Sequence, residues 1–373
     1  MTMNQHYAQI IKPVPAIIEK SKQEQNDFVV VDPWNKKQME SIKNNPKIKK
    51  IKIAPWVSAV QDRAFFDFSN LECVEIPDTV GSIGPFAFSK CTSLKSINIP
   101  NRVSMIKMGT FEDCHNLVSV NIPDGVTTIR SNAFAGCHSL KSIDIPKSVV
   151  VIEENVFANC KNLMSLDIPS GVTVIEKNTF AHCCGLKSIN IPTSVTTIRE
   201  GAFRGCQKLE SIDIPNGVTV IEADLFLHCG ELKSINIPNS VTAIGDSAFR
   251  GCYSLESIDI PDSVTKIGIM AFSWCKKLVS VRLSNKITII RGGTFKGCES
   301  LVAVEIPRSV LELDPYAFAY CKELVMVKVY NPFIIESTPR LVFVGCEKLS
   351  LSRFPHYYKE RSGGGYFFWG TVI

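Results

Sequence analysis

No apolar run in this 373-residue chain approaches the ~18–20 residues that a membrane-spanning helix needs. There is no Asn-x-Ser/Thr sequon, so nothing points to N-glycosylation. The N-terminus, MTMNQHYAQIIKPVPAIIEK, lacks a basic segment leading into an apolar core. No secretory signal is read there, and the expectation is a soluble intracellular protein with reduced thiols. Glycine-rich phosphate loops are missing too. Gly363 to Gly365 have no following Lys-Ser/Thr and read as a hinge. Net charge is only +5, which leaves no global nucleic-acid footprint. None of the fourteen cysteines sits in a CxxC pair, which removes the usual sequence sign of a zinc site or redox motif.

What is present is regular. Hydrophobic residues make up 45% of the chain, enough for a core and too many for disorder. Cys91, Cys114, Cys137, Cys160, Cys183, Cys206, Cys229, Cys252, Cys275, Cys298 and Cys321 recur every 23 residues, and Cys346 follows after 25. Phenylalanines keep the same beat from Phe65 to Phe318, with Phe343 again 25 later. Twelve units begin at Leu71 and continue to Leu324, and a degenerate one precedes them at Ile48, with Phe68 where Cys should stand.

Numbered from its leading Leu, a unit such as LKSINIPNSVTAIGDSAFRGCYS has apolar residues at positions 1, 4, 6, 10 and 13, Ala-Phe at 17–18 and Cys at 21. Positions 4 and 6 alternate with polar 3 and 5, which is strand periodicity with one buried face. Pro at position 7 ends the strand, and Asn, Asp, Ser or Gly at 8–9 makes a turn, as in Pro123-Asp124-Gly125. Ala-Phe-x-x-Cys fits one turn of α- or 3₁₀-helix with Phe and Cys inward. One coil cannot bury its own apolar face, but a stack of coils with parallel strands can.

The motif LxxIxIPxxVxxIxxxAFxxC resembles the leucine-rich repeats of BspA-type surface proteins and related treponemal proteins, over residues 48–348. The resemblance implies an α/β repeat solenoid, rich in β: a right-handed, curved leucine-rich repeat fold. It would have a parallel sheet on the concave face and short helical or 3₁₀ turns opposite. It also implies binding of other proteins, often host matrix or cell-surface partners, with no catalytic residues. Members are often secreted, which makes a cell-surface adhesin for matrix protein or glycan the alternative to an intracellular scaffold. Residues 1–47 read as a polar arm and N-terminal cap, with strand-like FVVV and an amphipathic segment through Met39 and Ile42. Residues 349–373, rich in aromatics, read as a C-terminal cap in which Phe367, Phe368 and Trp369 fold back over the last coil.

No enzyme, metal or cofactor is expected. A 23-residue beat spreads sulfurs along a line instead of converging them on a metal, so the cysteines read as a buried apolar ladder. Cys73 and Cys184 lie off the ladder. His182 and His228 are two coils apart, and His115 with His138 lacks a third ligand at a matching position. The Ser column at position 3, Ser96 to Ser280, has no associated His and is not a nucleophile.

Two binding surfaces remain. The first is the position-5 column on the concave face: Asn98, Asn121, Asp144, Asp167, Asn190, Asp213, Asn236 and Asp259. The plainer reading is a solvated polar ladder; the functional one is a face for a protein partner, peptide or glycan. The second is formed by aromatics that the repeat does not require: Tyr253, Trp274, Tyr316 and Tyr320. Partial burial between coils is the plainer reading there. Lys43, Lys47, Lys49, Lys50 and Lys52 cluster at the first coil, where cap solubility explains them as well as an anionic surface would. LKSINIP and LESIDIP alternate from Leu186 onward, placing Lys187 and Lys233 on the coils flanking Glu210 and suggesting a duplicated two-coil unit.

Overall fold

The computed structural model describes residues 28–331, 334, 339 and 341–349. The proposed C-terminal cap and most of the N-terminal arm lie outside them. The chain forms a β-solenoid of about 13 coils with parallel strands and almost no helix.

The chain enters through strand β1 (Phe28–Val31), which pairs in parallel with β2 (Lys50–Ile53) of the first coil. Between them, helix α1 (Lys36–Lys43) is capped by the Asn35 side chain, which accepts from the Gln38 amide. Met39 and Ile42 of this helix are buried against the core.

Two parallel ladders run along the stack. One uses positions 3–5 and continues from β1 and β2 through Cys73–Glu75, Ser96–Asn98 and Ser119–Asn121. In the middle coils this sheet thins to single bridges, Asp167 to Asn190 and Asp213 to Asn236, before resuming at Ser257–Asp259. The other ladder pairs positions 12–13, as in Val151–Ile152 with Thr128–Ile129. Between the two, the position-10 Val amide donates back to the position-7 Pro carbonyl, for example Val126 to Pro123 at 3.0 Å.

The Ala-Phe-x-x-Cys segment is not a turn of α- or 3₁₀-helix, which corrects the expectation from spacing. Its amides alternate in direction. Ala87, Ser89 and Cys91 donate three residues back within their coil, whereas Phe86, Phe88 and Lys90 donate to carbonyls of the next coil. A helix would have every amide donate back to a carbonyl of its own segment. The alternation follows from backbone sign: every positive-φ residue among those described falls two before or two after a spine Phe. Left-handed residues at that spacing break a right-handed helix and send every second N–H outward, where it ties one coil to the next.

The core is one continuous stack. Phe65 through Phe318 are almost completely buried. Successive rings, including the last step to Phe343, lie 5.1–5.8 Å apart and within 18° of parallel. Each ladder thiol from Cys91 to Cys321 donates to the carbonyl of the preceding coil's Phe at 3.0–3.3 Å. Cysteine therefore serves as a small apolar filler that also carries one weak donor. Burial pushes these thiols up, to about 12 at Cys91 and Cys160, which keeps them protonated and unreactive. Cys346, at the last described coil, is half-buried and differs. Its thiol donates to the Phe318 carbonyl at 3.1 Å, and the neighbouring Cys321 side chain pulls its pKa down.

A two-coil rhythm overlies the 23-residue beat. At position 9, Ser148, Ser194 and Ser240 donate to the preceding coil's Val carbonyl, while Gly125, Gly171 and Gly217 occupy the coils between.

Candidate functional site

The sheet face carries the first candidate surface. Asn98, Asn121, Asp144, Asp167, Asn190, Asp213, Asn236 and Asp259 are all exposed in one column, beside the Ser column. Parallel register puts Asn98 against Asn121 and Asp259 against Arg282. The central acids Asp144, Asp167 and Asp213 have no ion pair with any described residue. Cross-coil pairs flank them instead. Lys52 meets Glu75 at 3.0 Å toward one end, and Arg282 bonds Asp259 and Asp262 toward the other. The Asn285 backbone N–H, together with Arg282, holds the Asp262 carboxyl below its usual range. Beside the face, Glu72 is held at about 2 by hydrogen bonds from Lys49 and Lys95. Lys233 reaches Glu210 at 2.9 Å, with Lys187 acting on it from the other side. The N-terminal lysines are compensated in the same way: Lys43 lies 3.6 Å from Asp67 and Lys49 lies 2.8 Å from Glu72.

The second surface is the edge two residues past each spine Phe. In the C-terminal half this column reads His182, Gly205, His228, Gly251, Trp274, Gly297, Tyr320, Gly345. The alternation has a steric cause. A Cβ on Gly251 would lie 2.5 Å from the His228 ring, and one on Gly297 would lie 2.6 Å from the Trp274 ring. Gly205 faces His182 and Gly345 faces Tyr320 in the same manner. Each ring occupies the space beside the next coil's glycine, and a side chain there would displace it. The residue just before the glycine is basic in three coils: Arg204, Arg250 and Lys296.

Between two such rings lies a cleft of about 440 Å³ lined by His228, Arg250, Gly251, Tyr253, Trp274 and Lys276. The structure thus brings Tyr253 and Trp274 together. Tyr320 shares Trp274's repeat position, but Gly297 stands between them. Tyr320 instead shares a cation with Tyr316 on its own coil: the Lys296 ammonium lies 5.5 Å from the Tyr316 ring centre and 5.7 Å from that of Tyr320. Lys276 lies 6.0 Å from the Trp274 ring and 3.4 Å from Glu299. Burial, with Arg250 and Arg204 close by, lowers the His228 pKa and favours a neutral ring at neutral pH. The reading from sequence weighed His228 only as a metal ligand and did not name Arg250, Gly251 or Lys276. The available signal was the 46-residue recurrence of a basic residue before glycine, Arg204–Gly205, Arg250–Gly251 and Lys296–Gly297.

His115 and His138 do approach, stacked at 4.4 Å, with Asp113 at 3.7 Å from His115. Among the described residues no group of three or more His, Cys, Asp or Glu side chains could hold a metal ion. No helix among them is long and apolar enough to cross a membrane.

The model of the BspA type leucine rich repeat region (6 copies) matches residues 38–141, 127–256 and 242–369. The chain is similar to a crystal structure of a leucine-rich repeat protein from Bacteroides ovatus. They share 28% identity over 87% of this chain and 92% of that one, with a TM-score of 0.71. It is also similar to a leucine rich cell surface protein from Faecalibacterium prausnitzii, with 29% identity over 81% of this chain and 86% of that one and a TM-score of 0.52. No curated protein matches it.

Proposed function

The chain belongs to the BspA-type leucine-rich repeat family, and from that membership we propose that it is a non-catalytic scaffold that binds a protein partner across its sheet face. One observation carries this reading. The Asn/Asp column is exposed on eight successive coils, and its central acids form no ion pair with any described residue. Short polar side chains fixed on a parallel sheet offer repeated hydrogen-bond groups at low entropic cost, which suits an extended surface of a partner. Repetition of one coil offers the same polar groups at each step along the stack, which favours recognition of an extended partner.

The test is partner capture from the native host, wild type against Asp167→Arg with Asp213→Arg. Both positions are exposed, so the double variant should fold normally. A partner retained by wild type and lost by the variant is expected. A partner held equally by both would remove the sheet face as the binding surface.

A second reading, adhesion at a cell surface, draws support from the likeness to the Faecalibacterium cell surface protein. Labelling of the protein on intact host cells by a membrane-impermeant reagent separates it from the first.

A further inference from the structure

We propose that the cleft between the His228 and Trp274 rings is a binding site for an acidic glycan, a chain of pyranose rings that carry carboxylates. The site lies on the turn edge and is independent of the sheet face.

Three observations converge on this chemistry. The first is an unspent cation. The Arg250 Nε is buried without a hydrogen-bond partner, and Arg250 forms no ion pair among the described residues. Its neighbours at the equivalent positions are better served: Arg204 lies 3.9 Å from Asp224, and Lys296 lies over two tyrosines. A planar guanidinium lacking an acceptor, at the wall of a cleft, is matched by a carboxylate, which its two terminal nitrogens can engage through parallel N–H···O bonds while the Nε stays buried.

The second is the set of ring faces. Trp274 and Tyr253 bound the same space, with the His228 ring against Gly251. The C–H faces of a pyranose are apolar and pack on aromatic rings, while its rim is polar. The cleft, about 440 Å³, is within the range that small ligands occupy.

The third is repetition. Basic residue, glycine and following ring recur as Arg204–Gly205–His228, Arg250–Gly251–Trp274 and Lys296–Gly297–Tyr320. Successive sets are two coils apart, each coil step being the 5.1–5.8 Å of the ring spine. Two sugar units of an extended chain span a comparable length, so one chain can meet successive sets in the same phase. The strip is mixed in charge, with Asp224 and Glu299 among the bases. That suits one carboxylate per disaccharide better than the denser charge of a phosphodiester backbone.

The test titrates the full chain with a hyaluronan hexasaccharide, which carries one carboxylate per disaccharide, and with its carboxyl-reduced form, which differs only at the carboxylates, following calorimetric heat and tryptophan fluorescence. The acidic hexasaccharide should bind, and the reduced form should bind about tenfold more weakly or not at all. Arg250→Gln and Lys276→Met should each weaken the acidic ligand while leaving the circular dichroism spectrum unchanged. Trp274→Ala should abolish binding, whereas Trp56→Ala, at a distant exposed position, should not alter it. Equal binding of the two sugars would overturn the proposal. So would full affinity in a folded Arg250→Gln protein, absence of binding by the acidic hexasaccharide, or tighter binding of hexaglutamate or hexathymidylate.

Discussion

Removing one ring from the middle of the spine is the most direct test of how the coils hold together. Phe203 is completely buried and stacks on both neighbours, 5.5 Å from Phe180 and 5.8 Å from Phe226, each within 5° of parallel. In Phe203→Ala the transfer free energy of the ring is lost and a cavity opens, which together cost ~3–5 kcal/mol. The upper half of that range applies, because the neighbouring rings are themselves fixed by the next coils and cannot collapse inward. Phe203→Leu keeps most of the volume and loses the two stacking contacts, so it should cost about 1.5 kcal/mol. Val302→Ala, at a surface position, should change stability by about 0.5 kcal/mol or less. Urea unfolding followed by circular dichroism measures these differences. A solenoid is held by nearest-neighbour interfaces, so a weak middle coil should also divide the array. Single-tryptophan variants retaining Trp56 or Trp274 should then report different midpoints in Phe203→Ala and one shared midpoint otherwise. A loss below about 1 kcal/mol with coincident midpoints would refute the reasoning from a continuous spine.

Two further outcomes follow from the charge and thiol chemistry. In the native protein a thiol reagent should modify Cys73, Cys184 and Cys346, with Cys346 reacting ahead of every other ladder cysteine, while Cys91 through Cys321 become reactive only in denaturant. Rapid native labelling of Cys206 or Cys229 would contradict the sealed ladder. Glu72 has a folded pKa near 2 against an ordinary 4.5, so its pairing with Lys49 and Lys95 stabilises the fold above about pH 4.5 and is lost as pH falls toward 2. The melting temperature of Glu72→Gln should therefore lie below wild type at neutral pH and converge with it near pH 2; a constant gap would place the effect elsewhere.

The spine and the coil count were legible in the sequence, because Phe and Cys mark one position each and a buried position tolerates little else. The strand at positions 3–5 was legible for the same reason, since Ile at 4 and 6 must face inward while Ser and Asn face out. The conformation around Phe was not. Arg63, Asn132, Ser247 and Trp274 share the left-handed backbone with glycine two residues from a spine ring, and such varied residues give no sign of positive φ. The consequence, amides alternating between their own coil and the next, depends on the neighbouring coil being present, which local spacing cannot express. The thinning of the sheet in the middle coils likewise belongs to the stack, since LKSINIP and LESIDIP keep the same pattern through it. Of the candidate surfaces, the exposure of the sheet column and the nearness of Tyr253 to Trp274 could be anticipated from the repeat positions. Arg250 could not, because an unpaired guanidinium is recognised only once its surroundings are known.

The rings packed against glycines also constrain how a chain of this kind can change length. Excising the single coil Leu232–Ser254 would bring His228 against Trp274, two rings where the packing admits one. Excising the pair from Leu209 to Ser254 would set Trp274 after Gly205 and leave the order of rings and glycines intact. Recombination between near-identical repeats can cut at any multiple of 23 residues, but only even multiples yield a product whose edge still fits. In this half of the molecule the unit of inheritance is thus the pair of coils, and the solenoid lengthens or shortens by parity.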